Sequence, residues 1–200
     1  MSIRTLTPII LASGSAIRQQ MLRDAGIEFS VEPSGFDEAS LKEEMLGTSI
    51  AGQAVRLAKE KALVVSCRNP EALTIGADQI CALGEKIYSK PGSFDATEQH
   101  LRELAGHTHT QHSGVVLLKG EDVLWELHAS ANLTMRALTN EEISTYVAMD
   151  KPLQSCGAYK FESAGKHLFA KIDGDHNVIQ GLPLVPLLAE LHARKAIALA

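Results

Sequence analysis

Positive charge is in short supply in this chain. Its 200 residues carry 19 Lys and Arg against 24 Asp and Glu, a formal net charge of −5 with a pI near 5.9. Duplex nucleic acid calls for a broad basic stripe, so this balance argues against an extended polyanion as partner and leaves room for a small anion held by a few cations. Long hydrophobic runs are also missing. The only early one, PIILA at 8–12, is far shorter than a membrane span and lacks the layout of a signal peptide, which predicts a soluble, cytoplasmic protein without a membrane partner. Cysteine is scarce: Cys67, Cys81 and Cys156 are odd in number, widely spaced and free of any CxxC pair. That suits reduced thiols better than a disulfide frame or a zinc site. Neither G-x-x-x-x-G-K-[ST] nor G-x-G-x-x-G occurs, and no repeat or low-complexity linker interrupts the chain. With 45% hydrophobic residues, one compact domain over 1–200 is expected.

What is present reads as mixed α/β. TPIILAS (7–13) is a strand-length apolar run, followed by SAIRQQMLRDAG with Ile17, Met21 and Ala25 at helical spacing and Gly26 as the stop. EFSVEPS alternates like a half-buried strand. SIAGQAVRLAKEKALVVSC is a long helix, and ALTIGADQICALGEKIYSKPG gives a buried strand, a turn at Gly84 and a second short strand. FDATEQHLRELAG is a helix ending at Gly106. Two long strands joined by a turn at 119–122 follow. TNEEISTYVAM opens with a capping box, Thr139 and Glu142. A Gly-rich turn region from Ser155 to Gly165, the strand HLFAKIDG and a helix after GLPLVP complete the pattern, whose central hairpin sets it apart from pure βαβ alternation.

A few residues are placed for chemistry. The loop Ser13-Gly14-Ser15, between a strand and a helix, turns backbone N–H groups outward at the positive end of a helix dipole, an anion site to which the two hydroxyls and Arg18 add donors. The competing reading is an N-capping serine with a glycine for close packing. Lys61 lies on a helix, where lysines are usually solvated. Lys90 lies between a strand and Pro91, where a loop can aim an ammonium. Asp78 ends the buried run LTIGAD, and a charge there needs a metal, a partner or a catalytic purpose to offset desolvation. Asp37 and Glu38 follow a strand in a loop. Carboxylates, cations and an anion-binding loop together suggest metal-assisted phosphoryl chemistry. HTHTQH (107–112) invites a zinc reading, but in a strand His107 and His109 share a face while His112 points away, so a polar strand edge is the better reading.

IILASGSAIRQQML, GIEF, FDE, RLAKEKA, IGADQI, YSKPG, GAY and GLPL, in this order and spacing, resemble the Maf family of nucleotide pyrophosphatases over nearly the whole chain. The resemblance implies a Maf/ITPase-like elongated mixed sheet with helices, two lobes around a central cleft, and a homodimer. It implies hydrolysis of a nucleoside triphosphate to the monophosphate and pyrophosphate with a divalent cation, Mg²⁺, Mn²⁺ or Co²⁺. Ser13 and Arg18 then fall on the phosphate loop, Lys61 and Lys90 on phosphate-binding lysines, Asp78 on the catalytic carboxylate and Glu38 on an acidic cleft position, with the metal expected near Glu38 and Asp78.

The chain departs from the family's common S-P-R-R: Ala16 and Ile17 precede Arg18, so one of two paired arginines is missing. The branch acting on dTTP and UTP carries that arginine, a threonine after the catalytic aspartate and a glutamine in the later Gly-rich stretch. Here Ile17, Gln79 and Glu162 stand instead, and Gln79 with Glu162 resembles the branch acting on 7-methyl-GTP and some other ribonucleotides. A carboxylate at 162 accepts hydrogen bonds from a guanine edge and favours a cationic methylated base more strongly than an amide does. Gln79 and Glu162 are therefore expected to line a base pocket for 7-methyl-GTP, UTP or CTP. The alternatives are a dTTP/UTP pyrophosphatase and a nucleotide-binding regulator of cell division or septum formation without catalysis.

Overall fold

A computed structural model describes residues 2–41, 44, 45 and 47–199. In chain order these form β1 (Ile3–Thr5), β2 (Ile9–Leu11), α1 (Ala16–Asp24), β3 (Ser30–Val31), a 3-10 turn (Glu38–Leu41), α2 (Ile50–Ser66), β4 (Leu73–Leu83), β5 (Lys86–Tyr88), α3 (Phe94–Leu104), β6 (Thr108–Lys119), β7 (Asp122–Met135), α4 (Asn140–Asp150), β8 (Phe169–Asp173), α5 (His176–Ile179), α6 (Leu184–Ala193) and β9 (Ile197–Leu199). The main sheet runs β3-β2-β4-β6-β7-β8 with β5 against β4, and β1 pairs with β9 in a separate two-stranded sheet. This is the mixed α/β class the patterning implies. Two compact units emerge, one of residues 1–78, 113–129 and 181–200, the other of 79–112 and 130–180.

The first unit is built on the parallel strands β3, β2 and β4, in which Ile10 pairs with Ser30 and with Thr74. Side chains alternate across a strand. Leu73, Ile75 and Ala77 therefore join Ile9, Leu11, Val115 and Leu117 in a core capped by Met21 and Leu22 of α1 and Leu187 and Leu191 of α6. On the other face α2 lays Ala58 and Ala62 against Val116 and Leu118. Two glycines set how closely it lies. A Cβ on Gly76 would stand 2.3 Å from the Ala58 carbonyl oxygen, and one on Gly114 would stand 2.4 Å from the Ala54 carbonyl. The Ser49 hydroxyl caps α2 by accepting from the Gly52 N–H at 3.2 Å.

The second unit pairs β4 with β5 and β7 with β8, both antiparallel. Helices α3 and α4 are joined by Arg102 Nε to Asn140 Oδ1 at 3.0 Å and Ser144 Oγ to Glu98 Oε1 at 2.9 Å. The capping box at Thr139 and Glu142 is formed in both directions. Buried among these elements, His109 Nε2 meets the Tyr159 hydroxyl at 2.9 Å and Gln111 Nε2 donates to the same hydroxyl at 2.7 Å. The histidine run is thus split: His109 is buried in this network, while His107 is exposed and bonds locally to the Ala105 carbonyl.

Two sequence expectations change, and two strands appear that the sequence pattern does not announce. EFSVEPS gives a strand of only Ser30 and Val31, both exposed, because it forms the sheet's edge. The last helix begins at Leu184, inside GLPLVP, since Pro186 in a first turn costs no intrahelical hydrogen bond. The three-residue strands β1 and β9 carry too short a pattern to read.

Two outcomes test this packing. Gly114→Ala should lower stability by about 3 kcal/mol in urea denaturation, because the added methyl meets backbone that cannot yield. His109 supplies a pH test. Burial pushes its pKa down to about 4, against about 6.5 in the unfolded chain. Between those values the unfolded chain holds a proton that the folded one refuses, so stability rises with pH across the window. Falling from pH 6.5 to 4 should remove about 3 kcal/mol, and His109→Gln should remove that part of the slope.

Candidate active site

The close seat of α2 on β4 creates the central cluster. Gly76 and Asp78 lie on the same face of β4, and Lys61 stands on α2 between Ala58 and Ala62, the two residues that Gly76 admits. Lys61 Nζ reaches Asp78 Oδ1 at 2.5 Å and Glu38 Oε1 at 2.7 Å. Asp78 is 8% exposed, whereas the Glu38 side chain, at the start of the 3-10 turn, is 54% exposed. The structure therefore joins three sequence-picked residues around one ammonium, and it gives the helix lysine a buried task.

Burial acts against each of the inner charges. It pushes the Asp78 carboxyl above the ordinary carboxylate range, against the downward pull of Lys61 and Arg18, and the Glu38 charge adds to the push. For Lys61 burial acts downward, but the charges and hydrogen bonds of Asp78 and Glu38 outweigh it and raise the ammonium.

The small-residue loop lies in the same unit. Ser15 is the N-cap of α1 by position, but its side chain makes no capping bond. The Ser15 N–H donates to Ser13 Oγ at 3.3 Å. Arg18 is anchored on three oxygens: Nη1 donates to Ser13 Oγ at 3.0 Å and to the Ala77 carbonyl at 2.8 Å, and Nε donates to the Gly181 carbonyl at 2.8 Å. This fixes the guanidinium beside the residue preceding Asp78. Ile17, where the family's other arginine stands, packs partly buried against the core of the unit. The carbonyls of Ala77 and Gly181 are partners of Arg18 that the sequence does not show, since a main-chain acceptor leaves no side-chain signature.

The remaining candidates belong to the second unit. Gln79 Nε2 donates to the Ile179 carbonyl at 2.6 Å and the Val178 carbonyl at 3.2 Å, so its amide hydrogens tie down the end of α5. Glu162 is exposed in the turn after Phe161 and shares no hydrogen bond with Gln79 among the described residues. Lys90 is exposed after β5, next to the turn in which the Gly92 N–H donates to the Leu153 carbonyl at 2.9 Å.

Two carboxylates that already converge on one cationic atom form a hard-oxygen donor set, the kind a Mg²⁺ ion shares with substrate phosphate oxygens and water. Asp78 and Glu38 therefore fit a divalent cation. No group of three or more His, Cys, Asp or Glu is gathered for a metal among the described residues.

Similarity to known proteins extends over almost the full length. A family model described as Maf-like protein matches residues 8–194. A nucleoside triphosphate pyrophosphatase of Legionella pneumophila (strain Corby) is 40% identical over 184 residues, 92% of each chain. One of Rhodopseudomonas palustris (strain BisB18) is 43% identical over 193 residues, 96% of each. A 7-methyl-GTP pyrophosphatase of Rhizobium etli (strain ATCC 51251 / DSM 11541 / JCM 21823 / NBRC 15573 / CFN 42) is 41% identical over 191 residues, 93% of this chain and 96% of that one. With the loop, the buried aspartate and its lysine all falling inside the matched span, this chain belongs to the Maf family.

Proposed function

We propose that this protein is a nucleoside triphosphate pyrophosphatase, a hydrolase that converts a nucleoside triphosphate, 7-methyl-GTP or another ribonucleotide before dTTP, into the monophosphate and pyrophosphate. The observation that carries the reading is the buried Asp78 carboxylate held against Lys61 and beside Arg18. A desolvated carboxylate flanked by cations suits the attack of water on a polyanion, and a buried ion pair is a poor means of stabilising a core. The relatives named as nucleoside triphosphate pyrophosphatases support the same chemistry.

In this mechanism Asp78 accepts a proton from the water that attacks the α-phosphorus, and the bond to the bridging oxygen breaks as pyrophosphate leaves. Arg18, locked by the Ser13, Ala77 and Gly181 oxygens, offers charge to the phosphates at little reorganisation cost. The first N–H groups of α1 and the Ser13 hydroxyl add donors at the start of that helix. Lys61 and Lys90 supply point charges to the triphosphate. Asp78 and Glu38 would hold a divalent cation, Mg²⁺, Mn²⁺ or Co²⁺, which would supply Lewis acidity toward the phosphate oxygens.

For the base, the proposal assigns Glu162 the main selective role. Gln79 spends its donors on the Val178 and Ile179 carbonyls and so shapes its surroundings more than it reads a base edge. The 7-methyl-GTP preference draws on Glu162 and on the Rhizobium etli relative. A homodimer in the cytoplasm, without nucleic-acid or membrane partners, belongs to the same proposal; no helix among the described residues is long and apolar enough to cross a membrane.

A panel of nucleoside triphosphates with pyrophosphate readout tests the activity. In the best substrate, Asp78→Asn should stay folded and lose about 10²-fold or more in kcat; an unchanged kcat removes Asp78 from the mechanism. Lys90→Ala should weaken every nucleotide alike, and a loss confined to one base contradicts its assignment to the phosphates. Glu162→Gln should narrow the kcat/KM preference for 7-methyl-GTP over dTTP by about tenfold, the scale of one hydrogen bond to a charged group. An unaltered order would show that residue 162 does not set specificity.

A further inference from the structure

The lysine and the divalent cation make competing demands on the same two carboxylates. Lys61 Nζ stands between Asp78 Oδ1 at 2.5 Å and Glu38 Oε1 at 2.7 Å, the position where two oxygen ligands already converge. The Lys61 side chain is 16% exposed and that of Asp78 is 11% exposed, so little water screens the pair. With a cation of its own in place, the protein satisfies a buried carboxylate that would otherwise be costly to ionise. A lysine used only to grip phosphate has no need of two carboxylate partners in the absence of substrate.

We propose that Lys61 is an internal stand-in for the divalent cation: it neutralises Asp78 and Glu38 while the site holds no metal, and it is driven off them when the metal enters. The inference rests on the metal-dependent reading above and adds a coupling to it. An ammonium and a divalent ion cannot both sit in contact with the same carboxylate oxygens without strong repulsion. The flexible four-carbon stem lets the charge swing aside without unwinding α2. Once released, the ammonium is available to the triphosphate, so metal and nucleotide each favour the state that binds the other. By linkage the coupling is reciprocal. The same contact discourages metal from binding to the free protein, because the ion must first displace a bound charge.

Glu38 gives the exchange its route. Its side chain is 54% exposed, so an arriving ion meets Glu38 before the buried Asp78. The ammonium can be drawn from the outer carboxylate first and from the inner one second.

The test uses Mn²⁺ alone with the nucleotide-free protein, free ion being counted by electron paramagnetic resonance. Lys61→Met, which removes the competitor and leaves both ligands, should bind Mn²⁺ about tenfold more tightly than wild type. Lys61→Arg, which keeps a cation there, should show no such gain. A folded Lys61→Met that binds Mn²⁺ no better than wild type overturns the proposal. A second measurement needs no folded Met variant. In wild type labelled with ¹³C at lysine Cε, and with the Lys61 signal assigned from Lys61→Arg, addition of Mg²⁺ should move the Lys61 resonance. A Lys61 signal that stays in place at saturating Mg²⁺ overturns the proposal equally. These readouts involve no turnover. A protein that passes them but releases no pyrophosphate from any nucleotide would reject the catalytic reading and keep the cation exchange, and the converse result would do the opposite.

Discussion

The site depends on one buried ion pair, Lys61 with Asp78, and that pair depends on a glycine. Burying an isolated carboxylate is far more costly than a domain of this size can tolerate, and removing one member of a buried pair typically costs about 3–5 kcal/mol. Asp78 survives on β4 because α2 comes close enough to place an ammonium against it. The approach is possible because Gly76 offers no Cβ to the Ala58 carbonyl, and Gly114 clears the same path on β6 beside Ala54. The pair is therefore a consequence of helix-on-sheet packing. Packing and chemistry are coupled here, and whatever lifts α2 disarms the carboxylate.

The cationic side of the site follows a different logic. Arg18 has its direction set by acceptors that belong to the backbone, the carbonyls of Ala77 and Gly181, with the Ser13 hydroxyl between loop and guanidinium. Main-chain oxygens on a strand and a turn move less than side chains do, so the charge is held in place before any ligand arrives. Ile17 shows the reverse choice. At the position where the family commonly has a second arginine, this chain spends the residue on the core of the first unit. That leaves Arg18 as the sole guanidinium of the motif.

Much of this was legible from residue order. The run LTIGAD announced a strand carrying a charge it had to justify, and β4 with its Lys61 partner is that justification. The helices at 50–66, 94–104 and 140–150 followed from periodicity and capping residues, down to the reciprocal bonds of Thr139 and Glu142. Less legible was anything set by distant backbone. Gln79 is a base-pocket residue by family resemblance, and the carbonyls about a hundred positions away that take its amide hydrogens leave no trace in its own stretch of sequence. His109 sits in a run that suggests a metal or a polar edge, and only tertiary packing shows it buried against Tyr159. The short strands β1 and β9 stabilise each other across the length of the chain, a pairing no local window contains.

In the proposed reaction water attacks the α-phosphorus, so that hydrolysis of the triphosphate ends in the monophosphate and pyrophosphate. Turnover in H₂¹⁸O followed by ³¹P NMR tests this most directly, since ¹⁸O shifts the resonance of the phosphorus that water attacked. The account predicts one ¹⁸O in the nucleoside monophosphate and none in the pyrophosphate released. Label in pyrophosphate, or in inorganic phosphate accompanied by a nucleoside diphosphate, would contradict it.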